Sequence, residues 1–132
     1  MLARGYGRVI NVISRTAEFP FPKTSAYAAS KAGVMSFTRA VAAEVGPPTH
    51  PDILVNALIP GMTRTSRPRQ GDQSRRQEPE AVYPHTRFLV TLPAGGPNGR
   101  VFWNSEEYKI YTQFNELPQY QSATELSQAP RS

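Results

Sequence analysis

Three side chains in this sequence are of types that move protons. Tyr27 and Lys31 are four residues apart, so on a helix they share one face, and Ser14 closes a β-branched run thirteen residues before Tyr27. A free tyrosine hydroxyl titrates near 10, too high for efficient proton exchange near neutrality. A lysine ammonium one helical turn away favours the phenolate and lowers that value. A serine hydroxyl can then hold a substrate oxygen close to the phenol. Such a trio gives or takes a proton at a carbonyl or alcohol while a hydride moves at carbon. The Tyr-Lys pair alone is also what an ordinary amphipathic helix with a partly exposed aromatic presents, so the surrounding elements must decide between the two.

Arg8-Val9-Ile10-Asn11-Val12-Ile13 is β-branched and nearly continuous, the pattern of a strand buried on both faces in a parallel sheet. The two prolines between Arg15 and Lys23 make that stretch a loop. Thr24 and Ser25 are candidate helix N-caps. From Ala26 to about Val45, Ala28, Ala32, Met35, Ala42 and Val45 recur near helical spacing, and Gly46-Pro47-Pro48 ends the run. Ile53 to Ile59 is a second apolar strand, stopped by Pro60-Gly61. Strand, helix and strand form a βαβ unit, which predicts parallel pairing. The end of the first strand and the start of the helix then meet at the ligand-binding edge of the sheet, which would bring Ser14, Tyr27 and Lys31 together. Downstream, 64–79 is a polar, basic loop and Glu80 to Leu92 is a helix with Val82, Phe88, Leu89 and Leu92 on its apolar side. Arg100 to Trp103 is a last strand.

The stretches Gly7 to Ser14 and Ser25-Ala26-Tyr27-Ala28-Ala29-Ser30-Lys31-Ala32-Gly33-Val34 resemble the short-chain dehydrogenase/reductase family. So does Val55 to Thr65, with a strand, then Pro60-Gly61, then a threonine four residues after the glycine. The resemblance covers Arg4 to Thr65, weakens over Glu78 to Trp103 and does not extend to the tail. It implies an α/β chain: the C-terminal half of a Rossmann-like, doubly wound parallel sheet over residues 1–104. A polar, partly disordered tail fills 105–132, and 64–79 forms the substrate lid. It implies an NAD- or NADP-dependent oxidoreductase acting on a small carbonyl or secondary alcohol, with Ser14, Tyr27 and Lys31 as the catalytic residues. Tyr27 would be the general acid/base. Lys31 would support it and hydrogen-bond the nicotinamide ribose, and Ser14 would orient the substrate oxygen. Tyr27, Lys31, Pro60, Gly61, Thr63 and Thr65 would bind the cofactor, Thr63 through its backbone and Thr65 through its side chain near the carboxamide. Family members usually form dimers or tetramers through helices, so a homo-oligomer is implied for the intact protein.

The sequence also departs from the family pattern. No Gly-x-x-x-Gly-x-Gly occurs in the 132 residues, although that turn receives the dinucleotide phosphates at a helix N-terminus. The residue that selects NAD or NADP and the usual catalytic asparagine belong to the same upstream half. Ile13 stands where a serine is often found. Arg4-Gly5-Tyr6-Gly7 reads as the end of a preceding helix, so the chain is expected to be a truncated piece, inactive alone, whose first strand lacks the neighbours that cover its edge.

Bulk composition narrows the alternatives. The chain has 39% hydrophobic residues, 13 prolines and no cysteine, which excludes disulfides and thiolate metal sites; no metal site is assigned. No apolar run approaches the roughly 20 residues of a membrane span, and the N-terminus lacks a signal peptide's apolar stretch. The default expectation is a soluble cytoplasmic protein without a membrane partner. The net charge of +5 owes much to Arg64, Arg67, Arg69, Arg75 and Arg76. They lie among Pro, Gly, Gln and Ser without interleaved aromatics, the composition of a solvated loop and not of a nucleic-acid-binding surface. The competing functional reading is a non-enzymatic interaction module that pairs with a full-length relative or another partner.

Overall fold

The computed structural model describes residues 1–64, Ser74 and residues 76–109. Its elements in chain order are β1 (Gly7–Val12), α1 (Ser25–Val45), β2 (Ile53–Ile59), α2 (Tyr83–Val90), β3 (Val101–Trp103) and β4 (Glu106–Glu107). Short 3₁₀ turns precede β1 at Leu2–Arg4, follow it at Arg15–Ala17 and lead into α2 at Pro79–Val82. The sheet order is β1-β2-β3-β4, with β1, β2 and β3 parallel and β4 antiparallel to β3. This is the α/β architecture that the alternation of strand and helix patterns predicts.

β2 is the spine, and all seven of its residues are buried. Its side chains alternate between two apolar layers, as strand geometry requires. Ala57 and Ile59 join Ile13, Met35 and Val101 on the side of α1. Leu54 and Leu58 join Leu89, Leu92 and Phe102 on the side of α2. Helices therefore cover both faces of the sheet, one from each crossover.

The expected burial of the first strand on both faces does not hold for β1. Within the strand only Gly7 is buried, Val9 and Ile10 are half-buried, and Val12 is 51% exposed. Ile13, just past the strand, is fully buried. The physical reason is that β1 pairs with β2 alone among the described residues, so its outer edge and part of one face have no cover. β4 was likewise absent from the sequence expectation. It is formed by a two-residue turn at Asn104 and Ser105, both at positive φ (52° and 64°), the backbone of a tight hairpin turn that asparagine tolerates.

α1 begins where the threonine and serine place it, but Thr24 does not cap it through its side chain. The Thr24 hydroxyl donates instead to the Phe21 carbonyl (2.6 Å). At the other end Gly46 is closed in: a methyl group there would collide with the Asn98 amide and the Ala42 carbonyl. The proline in α2 sits in its first turn, where it has no helical hydrogen bond to lose.

Buried polar groups fasten these layers. The Arg8 guanidinium, with its side chain only 7% exposed, donates to the Leu92 carbonyl (2.6 Å), the Asp52 carbonyl (2.6 Å) and the Asp52 carboxylate (2.5 Å). It ties the start of β1 to the loop before β2 and to the segment after α2. Asn56, buried inside β2, donates to the Pro97 carbonyl (2.8 Å) and accepts from the Arg100 amide (2.9 Å). Asn98 accepts from the Val55 amide and donates to the Ala42 carbonyl, each at 2.8 Å. Thr38 is buried on α1, accepting from Asn11 (2.9 Å) and donating to the Val34 carbonyl (2.7 Å).

A buried donor or acceptor left without its partner costs about 1–3 kcal/mol, and more when the group is charged. Asn56→Ala is therefore expected to lose about 2–3 kcal/mol, and Arg8→Met about as much because Asp52 and the Leu92 carbonyl lose their donor. Urea unfolding followed by far-UV circular dichroism measures both. A loss below about 0.5 kcal/mol, the level of an ordinary surface substitution, would contradict the bracing role.

Candidate active site

The register of β1 on β2 decides what meets at the C-terminal edge of the sheet. Val12 pairs with Leu58, and the Ile13 amide continues the ladder to the Leu58 carbonyl (2.9 Å). Two residues beyond that last pair come Ser14 on one strand and Pro60 on the other. Two of the motifs singled out in the sequence therefore emerge side by side.

Ser14 is half-buried and caps the 3₁₀ turn that follows it. Its oxygen accepts from the Thr16 amide (3.2 Å) and the Thr16 hydroxyl (2.9 Å). Lys31 reaches from α1 to the end of β1, where its ammonium donates to the Val12 carbonyl (3.0 Å). The same nitrogen lies 5.8 Å from the centre of the Tyr27 ring, the expected result of four-residue spacing on a helix. Tyr27 is 45% exposed, so its ring faces solvent at the mouth of this edge. Lys31 is thus the residue that touches both the strand end and the tyrosine. Among the described residues no hydrogen bond links the Ser14 and Tyr27 hydroxyls, and Ser14 spends its oxygen on Thr16.

Pro60-Gly61 turns the chain away from β2. Gly61 has φ 76°, a left-handed conformation that glycine adopts without strain. A methyl group at Gly61 would touch the Gln77 amide and the Trp103 indole nitrogen. Gln77 closes this turn: its side-chain amide donates to the Pro60 carbonyl (2.5 Å) and lies 3.4 Å from the Thr63 hydroxyl. Its backbone pairs with Thr63 as an isolated parallel bridge, with Arg64 N–H to Gln77 O and Gln77 N–H to Met62 O both at 2.9 Å. Arg64 and Glu78 pair at 2.8 Å outside it. The two ends of the expected lid are therefore stitched together at the Pro60-Gly61 turn. Thr65, and with it most of the 64–79 segment including Arg67, Arg69 and Arg75, lies outside the described residues.

Sequence reasoning missed a second group at this edge. The Arg15 guanidinium carbon lies 4.9 Å from the centre of the Trp103 ring and 5.4 Å from that of Phe19. Tyr108 meets Trp103 edge-on at 5.8 Å, and its hydroxyl donates to the Glu18 carboxylate (2.9 Å). The sequence placed Trp103 on the last strand but gave no sign that it would meet Arg15 and Tyr108. Burial, then the hydrogen bond and charge of Glu18, push the Tyr108 hydroxyl above its ordinary value, while Arg15 acts in the opposite direction.

Comparison with known proteins now bears on the geometry. The family profile for short chain dehydrogenase matches residues 1–76. The chain belongs to the short-chain dehydrogenase family. It is 42% identical over 60 residues to the 2-dehydro-3-deoxy-L-rhamnonate dehydrogenase (NAD(+)) of a Sphingomonas species, covering 46% of this chain and 23% of that protein. It is 34% identical over 103 residues to the 3-oxoacyl-(acyl-carrier-protein) reductase of a Synechocystis species, covering 71% of this chain and 40% of the relative. The crystal structure of acetoin dehydrogenase from Enterobacter cloacae superposes with a TM-score of 0.64 and 28% identity, over 77% of this chain and 43% of that one. The short-chain dehydrogenase chain described here thus spans well under half the length of these relatives. Its four-stranded mixed sheet with helices on both faces is the corresponding part of their Rossmann-like fold. No helix among the described residues is long and apolar enough to cross a membrane.

The raised Tyr108 value fixes the sign of one pH effect. Folding favours the protonated phenol, so its contribution is whole below about pH 10, the ordinary tyrosine value, and is lost as pH rises through the higher folded-state value. Between about pH 9 and 11 the native chain is expected to lose more stability than Tyr108→Phe. Paired urea titrations at the two pH values measure this, and an equal loss in both proteins would refute it.

Proposed function

We propose that this chain carries the proton-transfer half of an NAD(P)-dependent oxidoreductase that interconverts a carbonyl and a secondary alcohol. The observation that carries the reading is the reach of Lys31 from its place beside Tyr27 to the Val12 carbonyl at the end of β1 (3.0 Å). An ammonium held there stabilises negative charge on the phenolic oxygen as the proton leaves. In this reading Tyr27 gives the proton to the substrate oxygen on reduction and takes it on oxidation. Ser14 exchanges one of its Thr16 contacts for a hydrogen bond to the same oxygen, which orients it.

The residues present fit a nicotinamide group. Gly61 leaves the backbone of the turn without a side chain, Pro60 and Thr63 offer carbonyl and hydroxyl oxygens at the same edge, and Lys31 supplies donors for ribose hydroxyls. Tyr27, Lys31, Pro60, Gly61, Thr63 and Thr65 would hold it. When bound, the cofactor supplies or accepts the hydride. NAD and NADP are equally compatible with these residues, because the phosphate end of a dinucleotide belongs to the half of the fold that these residues do not form.

A second reading, association with another polypeptide instead of catalysis, is favoured by the uncovered outer edge of β1, since an unpaired edge is a template for another strand. The 1–104 unit and the tail at 105–132 stay as proposed divisions of the chain.

The test is titration of NADH and NADPH into the 132-residue chain, following nicotinamide fluorescence, with Tyr27→Phe and Lys31→Ala beside it. Without a phosphate cradle, binding is expected to be weak, roughly millimolar and worth about 4 kcal/mol, and turnover is expected to be undetectable. Lys31→Ala is expected to weaken binding at least tenfold. Binding unchanged in Lys31→Ala would remove that residue from the site, and no binding by a folded sample would leave the association reading in its place.

A further inference from the structure

We infer that the side-chain carboxamide of Gln77 is a built-in competitor at this site: it fills the place at the Pro60-Gly61 turn that the carboxamide of a bound nicotinamide takes, and the cofactor must displace it. The inference rests on the nicotinamide reading above and adds how that site is regulated.

Gln77 meets the turn in two separate ways. Its backbone is fixed by the parallel bridge to Thr63, where its N–H donates to the Met62 carbonyl and its own carbonyl accepts from the Arg64 amide, each at 2.9 Å. Neither bond uses the side chain. The side chain folds back over Gly61 instead. Its amide nitrogen donates to the Pro60 carbonyl (2.5 Å) and lies 3.4 Å from the Thr63 hydroxyl oxygen. That hydroxyl donates to the Pro60 carbonyl as well (3.3 Å), which leaves its lone pairs facing the amide. Gly61 makes the approach possible, since even a methyl group there would stand 3.4 Å from the same nitrogen.

The chemistry of the two ligands is the same. A primary carboxamide carries two N–H donors and one carbonyl acceptor. The turn offers two acceptors, a main-chain carbonyl and a hydroxyl, which match the nitrogen end of that group. The glutamine side chain and the substituent of nicotinamide both end in a primary carboxamide, so both suit the same pair of acceptors and only one can occupy it. The amides of Asn11, Asn56 and Asn98 brace the sheet and α1 through groups away from this turn. Among the described residues the Gln77 amide is the one that serves groups proposed to hold the cofactor. It is half-buried, so it can exchange its bond to Pro60 for one to water. Such an exchange shifts an equilibrium by about twofold to tenfold. Ligands with a carboxamide pay that factor, and ligands without one do not.

The test is a nuclear magnetic resonance titration of the full, isotope-labelled chain with NADH and, separately, with ADP-ribose, which lacks the nicotinamide ring. Gln77→Ala is titrated beside it, and Gln77→Met, which keeps the length but has no donor, takes its place if Gln77→Ala does not fold. NADH affinity is expected to rise about twofold to tenfold in the variant, the value of one net hydrogen bond, while any ADP-ribose affinity stays unchanged. In the native chain the Gln77 side-chain amide resonances, identified by their loss in the variant, should move toward the free-amide position as NADH saturates. An unaltered NADH affinity in the variant, an equal gain for ADP-ribose, or amide resonances that do not move at saturation would each overturn the competitor while leaving the nicotinamide reading in place. No NADH binding by either folded protein would overturn both.

Discussion

Asn56 imposes the demand that organises the rest of the sheet. It sits in a strand whose seven residues are all buried, and a side-chain amide there is costly unless both its donor and its acceptor are matched. The matches come from Pro97 and Arg100, which fixes the approach of the chain to β3 before any β3 residue pairs. Asn98 sits inside that bracket and reaches both the Val55 amide and the carbonyl at the end of α1. The position of Trp103, three residues past Arg100, follows from these contacts. A polar residue in the middle of an apolar strand therefore selects the register of its neighbour, which apolar packing alone specifies weakly.

The geometry of the proposed site is set by the same sheet. Parallel pairing sends β1 and β2 in one direction, so the residues after both strands leave on one edge, and α1 starts on that edge too. Ser14, Lys31 and Pro60-Gly61 need no special loop to meet; the strand register already places them. What each then touches is a local matter. Ser14 caps its own turn, Lys31 rests on the Val12 carbonyl, and Gln77 covers the glycine turn. In the proposed function, these are the contacts that a substrate and cofactor would have to displace.

Much of this was legible beforehand, for physical reasons that differ by element. α1 and β2 were readable because helical spacing and a nearly continuous apolar run are local properties, and Pro and Gly mark their ends. The β-branched run of β1 reports what the strand is built to pair with, while its exposure depends on which neighbours are present, as the expected loss of edge cover anticipates. Thr38 and Asn56 were not recognisable as interior residues, since their partners Asn11, Pro97 and Arg100 are distant in sequence. β4 needed the positive φ of both Asn104 and Ser105, and serine is a poor indicator of that conformation. The motif residues of the candidate site could be named from the sequence. The Arg15–Trp103–Tyr108 group could not, because it joins the turn after β1 to the far end of the sheet.

The Arg8 contacts carry a consequence for how the chain assembles. The Leu92 carbonyl that the guanidinium holds is 84 residues away along the chain, and the parallel strand pairs also join distant segments. Closing such loops costs entropy before the contacts return any stability, so a topology of this kind orders slowly. α1, whose hydrogen bonds are local, can form early, while β2, apolar except for Asn56, waits for partners on both sides. During that interval its exposed surface competes between its own neighbours and other chains. The strand that makes the finished sheet secure is thus also the segment most in need of protection while the chain is being made.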